Sequence, residues 1–293
     1  MARRKPALLH GLAVVDKPAG VTSHDVVGML RRHLHERRVG HAGTLDPDAT
    51  GLLLVGVGNA TRLLRFLTAL GKTYTAEVVL GIETSTLDDS GEVTVRHHMP
   101  GITLDRVRAE VAEHLTGPIM QVPPMVSALK VDGRRLHELA REGIEVERQP
   151  RPVTIHRFEV EATDDPLVYR IEVTCSSGTY VRTLAADLGT LLGGGAHLRQ
   201  LRRTACGSFD ESQALAPDQA VLITMAEAMR DYRSVTVDAV TAALVRNGRK
   251  LPTDDRWAGD GPWAVLEPDG DLIAMYERVD ATTARPDVVI PVV

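Results

Sequence analysis

The sequence predicts an α+β fold. Residues 167–175 alternate apolar and polar side chains, the pattern of a strand with one buried face. Apolar residues recur at helical spacing over residues 22–34 and 103–115. After residue 210 the chain becomes acidic and rich in alanine, and a Pro-Asp-Gly turn at 268–270 between two apolar runs predicts a β-hairpin. Strands and helices are thus mixed along the chain, with a small unit at about 231–293.

The order of elements begins with residues 11–21, which predict a short buried strand ending in a Lys-Pro-Ala-Gly turn. The helix over 22–34 opens with Thr22 and Asp25 in the arrangement of a capping box. The remaining patterns predict a turn-rich segment at 40–51, an apolar run at 52–57, a helix at about 60–70, a strand at 74–80, a short helix near 134–141 within an irregular stretch at 120–151, and a helix at about 180–192.

The composition favours a folded protein with an aliphatic core, since 43% of residues are hydrophobic and only 3% are aromatic. No apolar run approaches the length of a membrane span, and the basic segment 1–5 does not lead into a signal peptide. We therefore expect a cytoplasmic protein. Cys175 and Cys206 are far apart and in no metal-ligand spacing, so we expect reduced core residues and no metal site.

The charge is distributed unevenly along the chain. The net charge of −5 argues at first against a nucleic-acid partner. Residues 210–293 hold 15 acidic and 8 basic side chains, which leaves 24 acidic and 26 basic side chains in residues 1–209. A basic surface on an otherwise acidic protein is sufficient to follow nucleic-acid phosphates.

The segment 37–51 contains the residues best suited to chemistry. It holds three glycines, and Asp46 and Asp48 flank Pro47. His41 precedes Asp46 by five residues, so a carboxylate, an imidazole and neighbouring arginines occur within one loop. An Asp beside a proline also commonly bonds its own backbone in a turn, so from the spacing alone a structural role for both carboxylates stays open.

Six segments resemble, in order, the motifs of the TruB-type tRNA pseudouridine-55 synthases, and the likeness covers about residues 11–209. The segments are GLAVVDKPAGVTSHDVV (11–27), VGHAGTLDPDATGLLLVGVGNATRL (39–63), KTYTAEVVLGIETSTLDDSGEV (72–93), QVPPMVSALKVDGRRLHELAREG (121–143), CSSGTYVRTLAADLG (175–189) and LRRTACGSF (201–209). Six motifs in one order are far more specific than any single one.

The resemblance implies the pseudouridine synthase fold, with a central mixed, mainly antiparallel β-sheet flanked by helices and loops. It implies a catalytic domain over 1–230 with an RNA-binding insertion at about 120–151, and a small C-terminal β-rich, PUA-like domain over 231–293. The implied activity is that of an isomerase, a tRNA pseudouridine synthase that converts uridine 55 in the T loop through an Asp carboxylate and a flipped-out base.

The resemblance also implies the site residues, position by position. Asp46 is expected to be the nucleophilic carboxylate, and Arg182 is expected to be its partner. Tyr74 is expected to stack on the flipped base, and Tyr180 is expected to contact the substrate. His41 is expected to contact the RNA near the flipped nucleotide, and Leu201 is expected to form a wall of the uracil pocket. The residues expected to follow the RNA backbone are Lys17, Arg134, Arg135, Arg199, Arg202 and Arg203. For Lys17 a structural role stays open as well. Apart from the motif order, Tyr74 and Leu201 would be assigned to the core.

The implied reaction gains and loses no atom, so we expect no cofactor and no metal. Breaking the N1–C1′ bond develops positive charge on the sugar, which a carboxylate can stabilise or trap. Whether Asp46 attacks C1′, attacks the ring or removes a sugar proton stays open. The final step removes a proton from C5, for which the Tyr74 phenol or a nearby water is a candidate. We expect the T arm of tRNA as partner, no membrane or protein partner, and a monomer.

Three alternatives stay open. A nucleoside or glycoside hydrolase using Asp46 with Asp48 predicts released uracil or sugar, and it leaves the basic patches unexplained. A non-catalytic RNA-binding protein that helps tRNA to fold predicts that Asp46→Asn is harmless. A synthase acting on rRNA with a guide RNA is the third, and the N-terminal start and short acidic tail favour the stand-alone type over it.

Overall fold

The computed structural model describes residues 7–127, 129–131 and 133–292, so the basic segment 1–5 lies outside the described residues. Contacts divide the chain into two compact units. Unit 1 comprises Met1–Pro47, Gly51–Ala69 and Cys206–Val293, and unit 2 comprises Asp48–Thr50 and Leu70–Ala205.

The α-helices are α1 (Ser23–His33), α2 (Leu64–Ala69), α3 (Leu104–His114), α4 (Leu136–Arg141), α5 (Val181–Leu191), α6 (Met225–Ala228) and α7 (Ala239–Arg246). The strands are β1 (Gly11–Lys17), β2 (Val39–Ala42), β3 (Thr50–Val57), β4 (Lys72–Leu80), β5 (Ile82–Thr84), β6 (Val93–Arg96), β7 (Gly117–Gln121), β8 (Lys130–Val131), β9 (Arg134–Arg135), β10 (Arg151–Ala162), β11 (Val168–Cys175), β12 (Ala196–Cys206), β13 (Phe209–Asp210), β14 (Ser234–Thr236), β15 (Leu251–Pro252), β16 (Trp263–Leu266), β17 (Leu272–Asp280) and β18 (Thr283–Val289). Short 3-10 helices occur at Gly58–Leu63, Glu211–Gln213 and Asp255–Trp257.

In unit 1, β3 pairs antiparallel with both β1 and β2, and α1 lies against this group through a shared apolar core. The predicted capping box starts α1. The Thr22 hydroxyl accepts from the Asp25 N–H at 3.1 Å, and the Asp25 carboxylate accepts from the Thr22 N–H at 2.9 Å. These two bonds satisfy backbone donors that the first helical turn leaves open. Part of the segment predicted as turn-rich is regular structure, since β2 covers residues 39–42.

The C-terminal part of unit 1 has a sheet of its own, in the order β14, β16, β17, β18, β15. The predicted hairpin is confirmed, because β16 and β17 pair antiparallel. Trp257 and Trp263 pack edge to face with ring centroids 5.4 Å apart in the core of this sheet. Other contacts tie the segment to the rest of unit 1, such as the ion pair between Arg65 and Asp287 at 2.5 Å. The predicted domain boundary at residue 231 therefore stays a prediction.

In unit 2, the strands follow the order β12, β4, β11, β10, β7, and β11 pairs antiparallel with both β4 and β10. The predicted alternation in β11 is confirmed: Tyr169, Ile171, Val173 and Cys175 are all buried. Helices α3 and α5 add apolar side chains to the same core. Burial raises the pKa of the Cys175 thiol to about 11, so the thiol stays protonated at neutral pH and behaves as a small core residue.

The predicted helices are confirmed at α1, α3, α4 and α5, and β4 confirms the strand predicted at 74–80. The helix predicted at about 60–70 is a 3-10 helix at Gly58–Leu63 followed by α2. The long strands β10 and β12 were not predicted. None of the described helices combines the length and the apolar character needed to cross a membrane.

Candidate active site

The loop that carries Asp46 joins β2 to β3. It begins at Gly43, whose φ of 88° lies in the left-handed region that glycine adopts at little cost. Asp46 is half-buried, whereas Pro47 and Asp48 are exposed. His41 lies just before the loop in β2, opposite Val55 of β3, and is also half-buried.

The backbone on both sides of Asp46 is held by contacts within unit 1. Before it, the Ser23 hydroxyl accepts from the Leu45 N–H at 2.9 Å and donates to the Leu45 carbonyl at 3.1 Å. After it, the Pro47 carbonyl accepts from Lys17 Nζ at 2.8 Å and from the Gly20 N–H at 3.0 Å. Contacts with residues distant in sequence therefore fix both neighbours of the predicted carboxylate, which is the preorganisation that a catalytic group needs.

Lys17 has no exposed surface. Its ammonium group donates to the carbonyls of Pro18 at 2.9 Å, Val21 at 2.7 Å and Pro47 at 2.8 Å. A buried ammonium group with all three of these bonds formed has no room for an RNA phosphate. The predicted contact with the RNA backbone does not fit this burial. Lys17 instead holds the turn at 18–21 to the loop of Asp46.

Replacing Lys17 by Met is expected to lower the free energy of unfolding by about 2 kcal/mol, because the carbonyls of Pro18 and Val21 lose a charge-assisted partner. Single-turnover activity should fall about 10-fold, since Pro47 keeps only the Gly20 bond beside Asp46. Urea denaturation and a single-turnover assay measure the two effects. Lys250→Met, at an exposed position, is the matched control. Equal stability of the two variants would contradict this role of Lys17.

In unit 2, α5 positions Tyr180 and Arg182. Tyr180 is the N-cap residue of the helix, and Arg182 lies on its first turn. Arg182 is 4% exposed. Its Nη1 donates to the Thr86 carbonyl at 2.7 Å, and its Nη2 donates to the Val126 carbonyl at 2.9 Å. The planar guanidinium group is therefore fixed by partners on two separate segments.

Asp88 provides Arg182 with a charged partner in unit 2. The distance from Arg182 Nη1 to Asp88 Oδ2 is 3.3 Å. The other oxygen of Asp88 accepts from the hydroxyls of Thr86 and Ser90, both at 2.5 Å. Asp88 lies in the resembling segment 72–93, yet the sequence analysis assigned it no role, because nothing local indicates that Arg182 is its neighbour.

Gln121 is a second residue that the sequence analysis missed. Its side-chain amide bonds both backbone groups of Tyr180, at 2.8 and 3.1 Å. Tyr74 lies in β4 opposite Val173 of β11, and it is half-buried against the core of unit 2. Leu201 in β12 packs against the same core and is also partly buried. Core packing and a substrate-facing role are compatible for both, since each keeps some exposed surface.

The basic residues predicted to follow RNA differ in exposure. Arg203 is 1% exposed, so a phosphate contact does not fit its position. Arg134 and Arg135 are exposed, and Arg202 is half-buried. Arg199 pairs with Glu77 at 2.7 Å and Arg134 with Glu142 at 2.5 Å, both near the surface, where such pairs are weak and readily exchanged for phosphate. Within the described ranges, no three His, Cys, Asp or Glu side chains are grouped so as to hold a metal ion.

Solved structures share this fold. A chain in the "Crystal Structure of a Cbf5-Nop10-Gar1 Complex" is 24% identical with a TM-score of 0.73, covering 96% of this chain and 85% of that chain. A chain in the archaeal box H/ACA sRNP Nop10-Cbf5 complex is 22% identical with a TM-score of 0.70, covering 96% and 86%. At these identities the likeness concerns the fold alone. The chain has the pseudouridine synthase fold, as the resemblance implied.

The family follows from sequence comparison. A model described as TruB family pseudouridylate synthase (N terminal domain) matches residues 31–181, and one described as tRNA pseudouridylate synthase B C-terminal domain matches residues 182–228. The protein named tRNA pseudouridine synthase B from Rhodococcus jostii (strain RHA1) is 47% identical over 290 residues, 94% of each chain. Its namesake from Arthrobacter sp. (strain FB24) is 45% identical over 284 residues, 92% of each. The chain belongs to the TruB family of pseudouridylate synthases.

Proposed function

We propose that this protein is a tRNA pseudouridine synthase that isomerises uridine 55 in the T loop of tRNA. Relatives 45–47% identical over more than nine-tenths of both chains carry the name tRNA pseudouridine synthase B, which supports the reaction and the substrate class. The observation that carries the proposal is the loop of Asp46, whose neighbours Leu45 and Pro47 are both held by distant side chains. The backbone that carries the carboxylate is thereby held on both sides while a flipped base is brought to it.

We assign the chemical role to Asp46. When the N1–C1′ bond breaks, positive charge develops on the sugar, and the carboxylate stabilises or traps it. The uracil then rotates, C5 bonds to C1′, and C5 loses its proton, so atoms balance without a cofactor or a metal. Arg182 is proposed to pair with Asp46 in the working enzyme, keeping the acid ionised and oriented. Tyr74 is proposed to stack on the flipped base and to lie near the departing C5 proton.

The substrate contacts are proposed for Tyr180, His41 and Leu201. Tyr180 would contact the uridine, His41 the RNA beside the flipped nucleotide, and Leu201 the uracil ring. Their partial burial supports these roles, because each side chain has both a fixed base and an accessible surface. For the phosphates we retain Arg134, Arg135, Arg199 and Arg202, in keeping with the dominance of phosphate contacts in RNA affinity.

The domain roles are proposals as well. Residues 120–151 would form an RNA-binding insertion in a catalytic domain spanning 1–230. Residues 231–293 would form a PUA-like domain, which the separate sheet and core of residues 234–289 support. We further propose that the protein acts as a monomer in the cytoplasm, without a protein partner. Light scattering after gel filtration, at protein concentrations spanning the assay range, tests the monomer.

The test of the proposed function uses purified protein, an unmodified tRNA transcript and no added cofactor. Pseudouridine is located by chemical labelling and primer extension. We expect modification at position 55 and none when that uridine is replaced by cytidine. Released uracil would indicate the hydrolase, and tight binding without product would indicate the RNA-binding protein. Activity that appears only with a guide RNA would indicate the third alternative.

A further inference from the structure

The amide of Gln121 forms a clamp on the backbone of Tyr180. Gln121 is 2% exposed and is the last residue of β7. Its Oε1 accepts from the Tyr180 N–H at 2.8 Å, and its Nε2 donates to the Tyr180 carbonyl at 3.1 Å. One side chain thus satisfies both backbone groups of one residue, as a neighbouring strand would do.

The clamped residue is where α5 begins. Tyr180 is the N-cap residue of the helix, and its side chain makes no capping hydrogen bond. Its carbonyl also accepts from the N–H groups of Thr183 at 3.1 Å and Leu184 at 3.3 Å, the first bonds of the helix. Gln121 therefore holds the start of the helix that carries Arg182, two residues further on. A shift of this turn would move the Tyr180 ring and the Arg182 guanidinium group together.

Gln121 is also the point from which the proposed RNA-binding insertion departs. In the pairing of β7 with β10, Gln121 lies opposite Arg151, so the chain between them leaves and returns at this pair. Within the insertion, the Val126 carbonyl accepts from Arg182 Nη2 at 2.9 Å. The root of the insertion and the first turn of α5 are therefore joined by two links, the Gln121 amide and the Val126 carbonyl.

We propose that Gln121 is a positioning residue that sets the placement of Tyr180 and Arg182 relative to the root of the insertion. Because it is 2% exposed, we assign it no contact with uridine or the reacting atoms, and it acts through the first turn of α5. This inference rests on the proposed function. The competing explanation is that Gln121 only satisfies two buried backbone groups, in which case its loss would affect stability and nothing else.

The experiment compares two variants of the full chain with the wild type in single-turnover assays on tRNA. Gln121→Met keeps the length of the side chain and removes both hydrogen bonds. Its rate constant is expected to fall about 10- to 100-fold, the range that misplacing a catalytic group produces. The Kd for tRNA should stay within about twofold, because Gln121 is 2% exposed and is not one of the residues proposed to contact phosphates. Gln219→Met, at an exposed glutamine, is the matched control.

Gln121→Glu supplies a readout that a structural role would not move. The ionised carboxylate accepts from the Tyr180 N–H but repels the Tyr180 carbonyl. Its protonated form has an O–H that donates to that carbonyl and so restores the clamp. Burial raises the pKa of such a carboxyl, so more of it is protonated at pH 6 than at pH 8. The rate constant of Gln121→Glu relative to the wild type should therefore rise about 5-fold when the pH is lowered from 8 to 6.

The outcomes are decisive in both directions. Circular dichroism first shows whether each variant is folded at the assay temperature. If Gln121→Met is folded, a slow rate with normal tRNA binding supports the inference, and a wild-type rate overturns it. If Gln121→Met is unfolded, the pH profile of Gln121→Glu decides alone: acid recovery in Gln121→Glu supports the inference, and a flat relative pH profile overturns it. A wild-type protein that makes no pseudouridine overturns the proposed function instead, and the inference falls with it.

Discussion

Replacing Asp46 by Asn is expected to abolish pseudouridine formation while tRNA still binds. The amide has the size of the carboxylate, so the contacts of Leu45 and Pro47 with Ser23 and Lys17 are retained. It has no negative charge, however, and cannot stabilise or trap the positive sugar. The single-turnover rate constant should fall about 10³-fold or more, the size expected when a charged group is removed from a reacting centre. Release of tritium from C5-labelled uridine in tRNA measures it.

Asp48→Asn is the matched control for Asp46→Asn. Asp48 is exposed, lies two residues away and has the same side chain. We expect its rate to stay within about twofold of the wild type, since an exposed charge at that distance is screened by salt. If Asp48→Asn is as inactive as Asp46→Asn, a two-carboxylate mechanism of the hydrolase kind replaces the one proposed. If Asp46→Asn keeps its activity, the assignment of the catalytic carboxylate is wrong.

Replacing Arg182 by Met is expected to reduce both stability and activity strongly. The change leaves the carbonyls of Thr86 and Val126 without these donors, and Asp88 loses the positive charge 3.3 Å away. The free energy of unfolding should fall by about 3 kcal/mol, as when one partner of a mostly buried network is removed. Activity should fall about 100-fold or more in the folded protein, because the predicted partner of Asp46 is lost. Urea denaturation measures the free energy of unfolding, and single-turnover assays at a temperature below the unfolding transition measure the activity.

One further variant separates charge from shape at this position. Arg182→Lys keeps the charge, but one ammonium group cannot span the two carbonyls that the planar guanidinium group joins. We expect it to recover about 1 kcal/mol of the lost stability and little of the activity. Arg170→Met is the control, because the Arg170 side chain is 68% exposed and its loss should cost about 0.5 kcal/mol or less. An Arg182→Met protein as stable as the Arg170→Met protein would contradict the assigned network.

Strong periodicity made several elements predictable. Helix α1 was bounded correctly because Thr22 and Asp25 mark its start and Val26 and Leu30 lie on one buried face. Strand β10 escaped prediction because a bulge between Ile155 and Arg157 shifts its alternation, so Val153 and Ile155 are out of step with the apolar residues that follow. Strand β12 escaped because it contains several arginines and because Gln200 has a φ of 55°, which interrupts any regular pattern.

The residues of the candidate site were predictable, but the side chains that hold those residues in place were not. The segment around Asp46 was recognisable from the motif order, and the turn at Pro47 from the residues themselves. For Lys17 an RNA contact and a structural role were both open, and it lies buried among three carbonyls. Gln121 and Asp88 lie in two of the resembling segments, but nothing local marked either of them as the partner of a site residue. Gln121 bonds Tyr180, which lies 59 residues further along the chain, and Asp88 pairs with Arg182, which lies on another element.

The sequence by itself determined the local elements with strong periodicity, the family through the order of its motifs, and the identity of the carboxylate to test. Only the tertiary structure decided which polar side chains face inward, among them Lys17, Gln121, Arg182 and Arg203. The physical reason is that three of these side chains, those of Lys17, Gln121 and Arg182, bond main-chain groups, which every residue possesses, so their partners leave no mark in the sequence. Burial then makes each of these bonds costly to lose, and this is why distant backbone contacts hold the residues proposed to act on uridine.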